Sequence, residues 1–142
     1  MAAEEQHRTV TVRRTAPGRY AATNARGGEL AFGMGEGSDF SPVELLLVAI
    51  GGCTAIDVDI LTSRRAEPEE FEVAVEADKV RDDEGNHLSD IALTFRIRFP
   101  EGEAGDAARE RLPGAAARSH DRLCTVMRTV ELGAPVTFRI EG

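Results

Sequence analysis

The segment between Ser41 and Arg65 constrains the fold most, because it is the most apolar part of the chain and carries the clearest helix start. Ser41 suits an N-cap, a proline follows at the first helical position, and Glu44 stands three residues after the cap. The segment stays apolar on almost every face until Asp57 and ends on two arginines, which suit the negative end of a helix dipole. This pattern predicts a buried central helix, and that helix carries Cys53.

Alternating apolar and polar residues predict strands on both sides of this helix. The predicted strands span residues 8–13, 19–23, 29–32, 71–80, 91–99 and 134–140. Residues 105–130 have a helical pattern in which Pro113-Gly114 predicts a break, with a short helix before it and a second helix over 115–129. The order predicts an α+β fold in which antiparallel sheet is covered by helices.

Length and charge limit the function. A chain of 142 residues predicts one domain over residues 1–142. Seventeen basic and twenty-five acidic side chains give a net charge of −8, which argues against nucleic acid or an anionic membrane as a partner. The first ten residues lack the pattern of a secretion signal, and the strongly apolar run 45–50 is too short to span a bilayer, so we expect a cytoplasmic protein.

Cys53 follows Gly51 and Gly52, two residues that weaken a helix by about 1 kcal/mol each relative to alanine. Such a pair indicates close approach by another group. That group is either a packed neighbouring element, with Cys53 as an ordinary buried residue, or a substrate that reaches the thiol. The residues alone leave both interpretations open.

The second cysteine, Cys124, has His120 four residues before it. On a helix the two could form a thiolate–imidazolium pair, or His120 could be a partly exposed residue at a helix start. Two cysteines in a reducing compartment are more often reactive or buried than joined in a permanent disulfide. Without CxxC or HxxxH spacing we expect no metal site, and no motif indicates a cofactor.

Two segments of the chain resemble the OsmC/Ohr family. Residues 41–58, SPVELLLVAIGGCTAIDV, resemble the family's signature helix, and residues 119–126, SHDRLCTV, are similar to the segment that holds its second cysteine. The resemblance implies an intertwined homodimer with two active sites near its interface. It also implies reduction of organic hydroperoxides, in which Cys53 becomes a sulfenic acid, Cys124 condenses with it, and a dithiol such as a lipoyl group reduces the disulfide.

The resemblance further implies an arginine from the N-terminal strands and a glutamate near the start of the cysteine helix, both beside the thiolate. Arg19 is the best placed arginine, with Arg14 and Arg26 as rivals. Glu44 is the candidate glutamate, although the best-known peroxidase branches have it one residue earlier, where Val43 stands here. A capping box accounts for Glu44 equally well.

Helix geometry bears on these candidates. Glu44 precedes Cys53 by nine residues, which at about 100° each places it half a turn away. Cys53 also lies too far from Ser41 for the helix dipole to lower its pKa. Asp57 shares a face with Cys53, where its carboxylate would raise the thiol pKa unless it faces a cation.

Two functions follow from these observations. The first is a cysteine-dependent hydroperoxide reductase active in oxidative-stress defence. The second is a non-catalytic OsmC-like protein that binds a small molecule or senses redox state, with packed cysteines.

Overall fold

The structure, a computed structural model, describes residues 6–142. They form two compact units, the first ending at Leu46 and the second running from Leu47 to Gly142. The boundary lies inside a helix. A single domain over residues 1–142 stays a prediction.

The first unit contains a three-stranded antiparallel sheet. Its strands β1 (Val10–Ala16), β2 (Arg19–Asn24) and β3 (Glu29–Phe32) pair antiparallel in chain order, which confirms the three predicted strands and their antiparallel arrangement. The β2–β3 turn is held by Asn24, whose side-chain oxygen accepts the backbone N–H groups of Arg26 at 3.0 Å and Gly28 at 2.8 Å. This is the local competition for backbone groups that favours asparagine in turns.

Helix α1 (Pro42–Ser63) begins where the sequence predicts. The Glu44 N–H donates to the Ser41 hydroxyl at 3.2 Å, and the Glu44 carboxylate accepts the Ser41 N–H at 2.9 Å, which confirms the capping box. Within one chain, α1 is buried along one face, while Val48, Ile56 and Ile60 on another face are exposed.

By length and composition α1 could cross a membrane, although the apolar run counted from the sequence is shorter. The core helix of a soluble protein meets the same criterion. Within the chain one face of α1 is buried.

The second unit contains an antiparallel hairpin, β4 (Glu70–Asp82) and β5 (Gly85–Arg98), longer than the predicted strands. From Phe71 to Ala77 every second side chain is partly buried and its neighbours are exposed, as the alternating sequence predicts. The hairpin therefore has one apolar face.

Helix α1 lies close to this hairpin at Gly51. A Cβ atom built on Gly51 would stand 2.7 Å from Cγ2 of Val75, closer than real contacts allow. Among the described residues nothing lies within 4 Å of the equivalent point on Gly52. Close approach thus accounts for the first glycine, and the approaching group is the hairpin.

The prediction of a helix break at Pro113-Gly114 is wrong. Helix α2 (Glu103–Arg118) runs through Pro113, and Ala108 and Ala115 on either side of it are buried, so the tertiary context overrides the local preference for a break. The break comes later, where a π-helical turn over Ser119–Leu123, here called the π turn, precedes α3 (Thr125–Leu132).

The predicted final strand over residues 134–140 is also absent. Val136, Phe138 and Ile140 are between 88 and 92% exposed, and within residues 6–142 no strand pairs with them. Alternating apolar and polar residues indicate which face of a strand would be buried. A strand also needs a neighbouring strand whose backbone supplies hydrogen bonds.

Candidate active site

The second unit brings the two cysteines together in its core. Ile50, Cys124 and Met127 form a buried cluster, and Cys53 packs against it with Val75 of the hairpin. Cys53 is among the groups that raise the pKa of Cys124, because its thiol lies near the Cys124 sulfur. The structure therefore places side by side two cysteines that are far apart in the sequence.

The two thiols differ in access to solvent. Cys53 is partly buried, whereas Cys124 has no exposed surface, and both are free cysteines. A dissolved oxidant therefore has a route to Cys53 before it reaches Cys124. The structure distinguishes an accessible thiol from a protected one.

Cys124 occupies the N-cap of α3, where its sulfur accepts the Met127 N–H at 3.4 Å. That hydrogen bond favours the thiolate, but burial disfavours it more strongly. Burial, together with the hydrogen bond and charge of Cys53 and the charge of Asp57, raises the pKa of Cys124 to about 11. Cys124 is therefore a neutral thiol at pH 7.

A hydrogen-bonded network of hydroxyl groups lies next to the cysteines. The Thr54 and Ser119 hydroxyl oxygens are 2.8 Å apart, and the Ser119 hydroxyl donates to Asp57 at 2.8 Å. Thr54 and Ser119 are fully buried. Asp57, expected either to face a cation or to oppose thiolate formation, accepts a hydrogen bond from a neutral serine, and its charge is among the causes that raise the pKa of Cys124.

His120 does not form the thiolate pair that its spacing allowed. Its Nδ1 lies 2.9 Å from Asp121 and its Nε2 lies 2.9 Å from Glu131, with about half of the side chain exposed. A hydrogen bond to Asp121 and the charge of Glu131 raise the pKa of His120. This residue is the partly exposed histidine of the alternative interpretation.

An open cleft of about 270 Å³ adjoins the cysteine cluster. Its lining includes Ile50 and Met127 of that cluster and Ile91 and Leu93 of the hairpin, and His120 stands at its polar margin. The lining is mainly apolar, as is usual for sites that hold small organic molecules.

The first unit holds the other two candidates. The Arg19 guanidinium lies 3.9 Å from the Asp39 carboxylate and is 68% exposed, so this ion pair holds it only weakly. The Glu44 carboxylate is engaged in the capping box with Ser41. A role for either residue beside Cys53 stays a prediction.

Within residues 6–142 no group of three or more His, Cys, Asp or Glu side chains is arranged to hold a metal ion. The described site contains two free thiols beside a hydrogen-bonded network of two hydroxyls and one carboxylate.

Sequence reasoning assigned no role to Thr54 or Ser119. A signal for Thr54 exists in the sequence, because Thr54 and Asp57 stand three residues apart on one face of an otherwise apolar helix. Polar side chains that share a buried face need hydrogen-bond partners. The partner, Ser119, lies 65 residues away and no local pattern indicates it.

The geometry defines a class of protein, an α+β domain with a free, accessible cysteine on a central helix and a second, buried cysteine beside it. The sequence profile described as OsmC-like protein matches residues 35–139. The chain belongs to the OsmC-like family. No curated protein matches the sequence.

Solved structures agree with this assignment at the level of the fold. A hypothetical protein from Aquifex aeolicus shares 18% identity, with 90% of this chain and 89% of that one covered and a TM-score of 0.69. An OsmC-like protein of unknown function from Vibrio cholerae shares 10% identity over 89% and 95% of the chains, with a TM-score of 0.72. An organic hydroperoxide resistance protein OsmC from Legionella pneumophila shares 13% identity over 90% and 91%, with a TM-score of 0.61.

These comparisons confirm the α+β fold with helices on antiparallel sheet, and the OsmC/Ohr family that the two sequence segments indicated.

The burial and pKa of Cys124 predict unequal alkylation of the two thiols. A pKa of about 11 leaves about one Cys124 in a thousand ionised at pH 8. We expect iodoacetamide at pH 8 to modify Cys53 and spare Cys124, and modification of Cys124 to accelerate as the pH rises toward 10. Peptide mapping by mass spectrometry measures both rates, with urea-unfolded protein as the control in which the rates converge. Equal rates in the folded protein at pH 8 would contradict the prediction.

Proposed function

We propose that this protein is a thiol peroxidase that reduces organic hydroperoxides, with Cys53 as the peroxidatic cysteine and Cys124 as the resolving cysteine. One observation carries the proposal: two free thiols from distant parts of the chain meet, and only one of them has access to solvent. This is the arrangement that a peroxidatic and a resolving cysteine require.

The proposed reaction has three steps. The Cys53 thiolate attacks the terminal peroxide oxygen, the O–O bond breaks, and the alkoxide takes a proton to leave as an alcohol. The Cys124 sulfur then displaces the hydroxyl of the Cys53 sulfenic acid, so that an S–S bond forms and water leaves. An external dithiol, lipoyl groups among the candidates, reduces this disulfide by exchange and is itself oxidised to a disulfide.

Exposure and ionisation support this division of roles. Cys53 is the thiol that a peroxide can reach, and the high pKa of Cys124 protects it from direct oxidation. Condensation can still occur, because a sulfenic acid on Cys53 would form beside Cys124 at high effective concentration.

The apolar cleft supports an organic rather than an inorganic peroxide. Its lining shares Ile50 and Met127 with the cysteine cluster, so an alkyl group bound there would lie next to the site. The Legionella pneumophila relative is described as an organic hydroperoxide resistance protein. A family role in oxidative-stress defence fits a cytoplasmic protein, because that compartment keeps both cysteines reduced.

Rapid quench of thiol loss tests the reaction. With cumene hydroperoxide we expect the reduced protein to lose two thiols, Cys53→Ser to lose none quickly, and Cys124→Ser to stop at a sulfenic acid that dimedone traps. Hydrogen peroxide should react more slowly, because it gains nothing from an apolar cleft.

Thiol loss no faster than that of free cysteine would overturn the peroxidase proposal. That result would favour the alternative of an OsmC-like protein that binds a small molecule or senses redox state without turnover.

The peroxidatic thiolate also needs a nearby cation, and we propose Arg19 for this role with Glu44 as the residue that orients it. The weak ion pair of Arg19 with Asp39 leaves its guanidinium available. The Glu44 carboxylate accepts the Ser41 N–H, so in the proposed role it would bind the Arg19 guanidinium in addition to this capping hydrogen bond.

Matched variants separate these roles. We expect Arg19→Ala to slow oxidation of Cys53 by at least tenfold, while Arg14→Ala and Arg26→Ala stay within twofold of wild type. Glu44→Gln preserves the cap, since glutamine also serves in a capping box, but removes the charge. Slower oxidation in Glu44→Gln supports the orienting role, and an unchanged rate assigns Glu44 to the cap alone. Stopped-flow thiol oxidation measures each rate.

We also propose a homodimer, because the chain exposes apolar surface that a second copy could cover. That surface includes Ile56 and Ile60 on α1 and the alternating Val136, Phe138 and Ile140. Solvent-exposed apolar patches of this kind are typical of protein interfaces.

Analytical ultracentrifugation tests the homodimer. We expect the full chain to sediment as a dimer, and the triple variant Val136→Ser, Phe138→Ser, Ile140→Ser to shift toward monomer. Thr137→Ser in the same segment is the control. A monomeric full chain at micromolar concentration would contradict the homodimer.

A further inference from the structure

In the hydroxyl network beside the cysteines, the hydrogen bonds all run in one direction, from Thr54 through Ser119 to Asp57. A carboxylate can only accept hydrogen bonds, so the Ser119 proton points to Asp57. The Ser119 oxygen is then the acceptor for the Thr54 hydroxyl at 2.8 Å. Each hydroxyl thus donates once, and no described buried side-chain polar atom is left without a partner.

Ser119 also binds the segment that carries the second cysteine. Its carbonyl oxygen accepts the Cys124 N–H at 2.8 Å, which closes the π turn. Its side chain meanwhile binds two residues of α1, Thr54, which directly follows Cys53, and Asp57, one helical turn after it. One serine therefore joins the helix of Cys53 to the backbone of Cys124.

The π turn is the kind of backbone that needs such support. π-Helical hydrogen bonding is rare and occurs mostly as single turns, often at functional sites. Here the turn sets the position of Cys124 at the N-cap of α3. Loss of the contacts to α1 would leave the turn without its side-chain attachment to the helix of Cys53.

We propose that Ser119, held by Thr54 and Asp57, is a positioning residue that keeps the Cys124 sulfur in reach of Cys53. This inference rests on the proposed function, in which the Cys53 sulfenic acid and the Cys124 thiol form a disulfide and release water. The thiol proton leaves with the sulfenic oxygen, and the Cys124 sulfur supplies the electron pair of the new S–S bond.

Positioning raises the effective concentration of one thiol at the other, and this concentration enters the disulfide equilibrium directly. Removing a hydroxyl of the network should therefore make the Cys53–Cys124 disulfide less stable relative to an external dithiol. We expect at least a tenfold fall in its equilibrium constant, which corresponds to a reduction potential about 30 mV less negative.

Isosteric variants on α1 give the sharpest test. Thr54→Val removes the hydroxyl and keeps the shape, whereas Thr54→Ser keeps the hydroxyl. Thr62→Val is the matched control, because Thr62 is also fully buried in α1 but donates only to the Val58 carbonyl of its own helix. Ser119→Ala removes the centre of the network.

The disulfide equilibrium is measured in buffers of oxidised and reduced dithiothreitol, so it needs no peroxide. We expect a shift of at least tenfold for Thr54→Val and Ser119→Ala, and values within twofold of wild type for Thr54→Ser and Thr62→Val. In a Cys124→Ser background, oxidation of Cys53 by cumene hydroperoxide should be equally fast with and without Thr54→Val.

The outcomes separate this inference from the proposed function. One result would be slow oxidation of Cys53 in the wild type and in every variant, while Thr54→Val still shifts the disulfide equilibrium. That result would overturn the peroxidase proposal and leave the positioning role of Ser119 standing. An equilibrium unchanged by Thr54→Val, or shifted as much by Thr62→Val, would overturn the positioning role. If Ser119→Ala does not fold, the comparison of Thr54→Val with Thr54→Ser decides.

Discussion

The close packing of α1 on the β4–β5 hairpin is the contact on which the rest of the site depends. Gly51 allows it, because any side chain there would collide with Val75. The contact buries Ile50 and brings Cys53 against the cluster that contains Cys124 and Met127. Without it, the accessible thiol would have no protected partner. The glycine at position 51 of α1 thus allows the packing that brings the two cysteines together.

Asp57 affects the charge state of the buried cysteine. A carboxylate one turn from a reactive cysteine would oppose ionisation of the thiol, yet Asp57 is present. In the structure Asp57 accepts the Ser119 hydroxyl, and its charge contributes to the high pKa of Cys124. The carboxylate therefore helps to keep the buried cysteine neutral.

The same helix explains why the surface of one chain remains so apolar. The sequence of α1 is apolar on almost all sides, but the described chain buries only one of them. The exposed alternating residues near the C-terminus have the same character. Under the proposed homodimer, both features describe surface that is buried only in the assembly, and the missing final strand is one that lacks its neighbour.

The sequence by itself determined what depends on neighbouring residues. Ser41 and Glu44 set the helix start, and the alternation after Phe71 set the faces of the hairpin, because caps and periodicity act over a few residues. Only the tertiary structure decided that α2 passes through Pro113, that the chain breaks at the π turn, and that Ser119 meets Thr54. These outcomes depend on which buried groups find hydrogen-bond and packing partners far away in the sequence. Burial is a property of the packed fold rather than of any short segment.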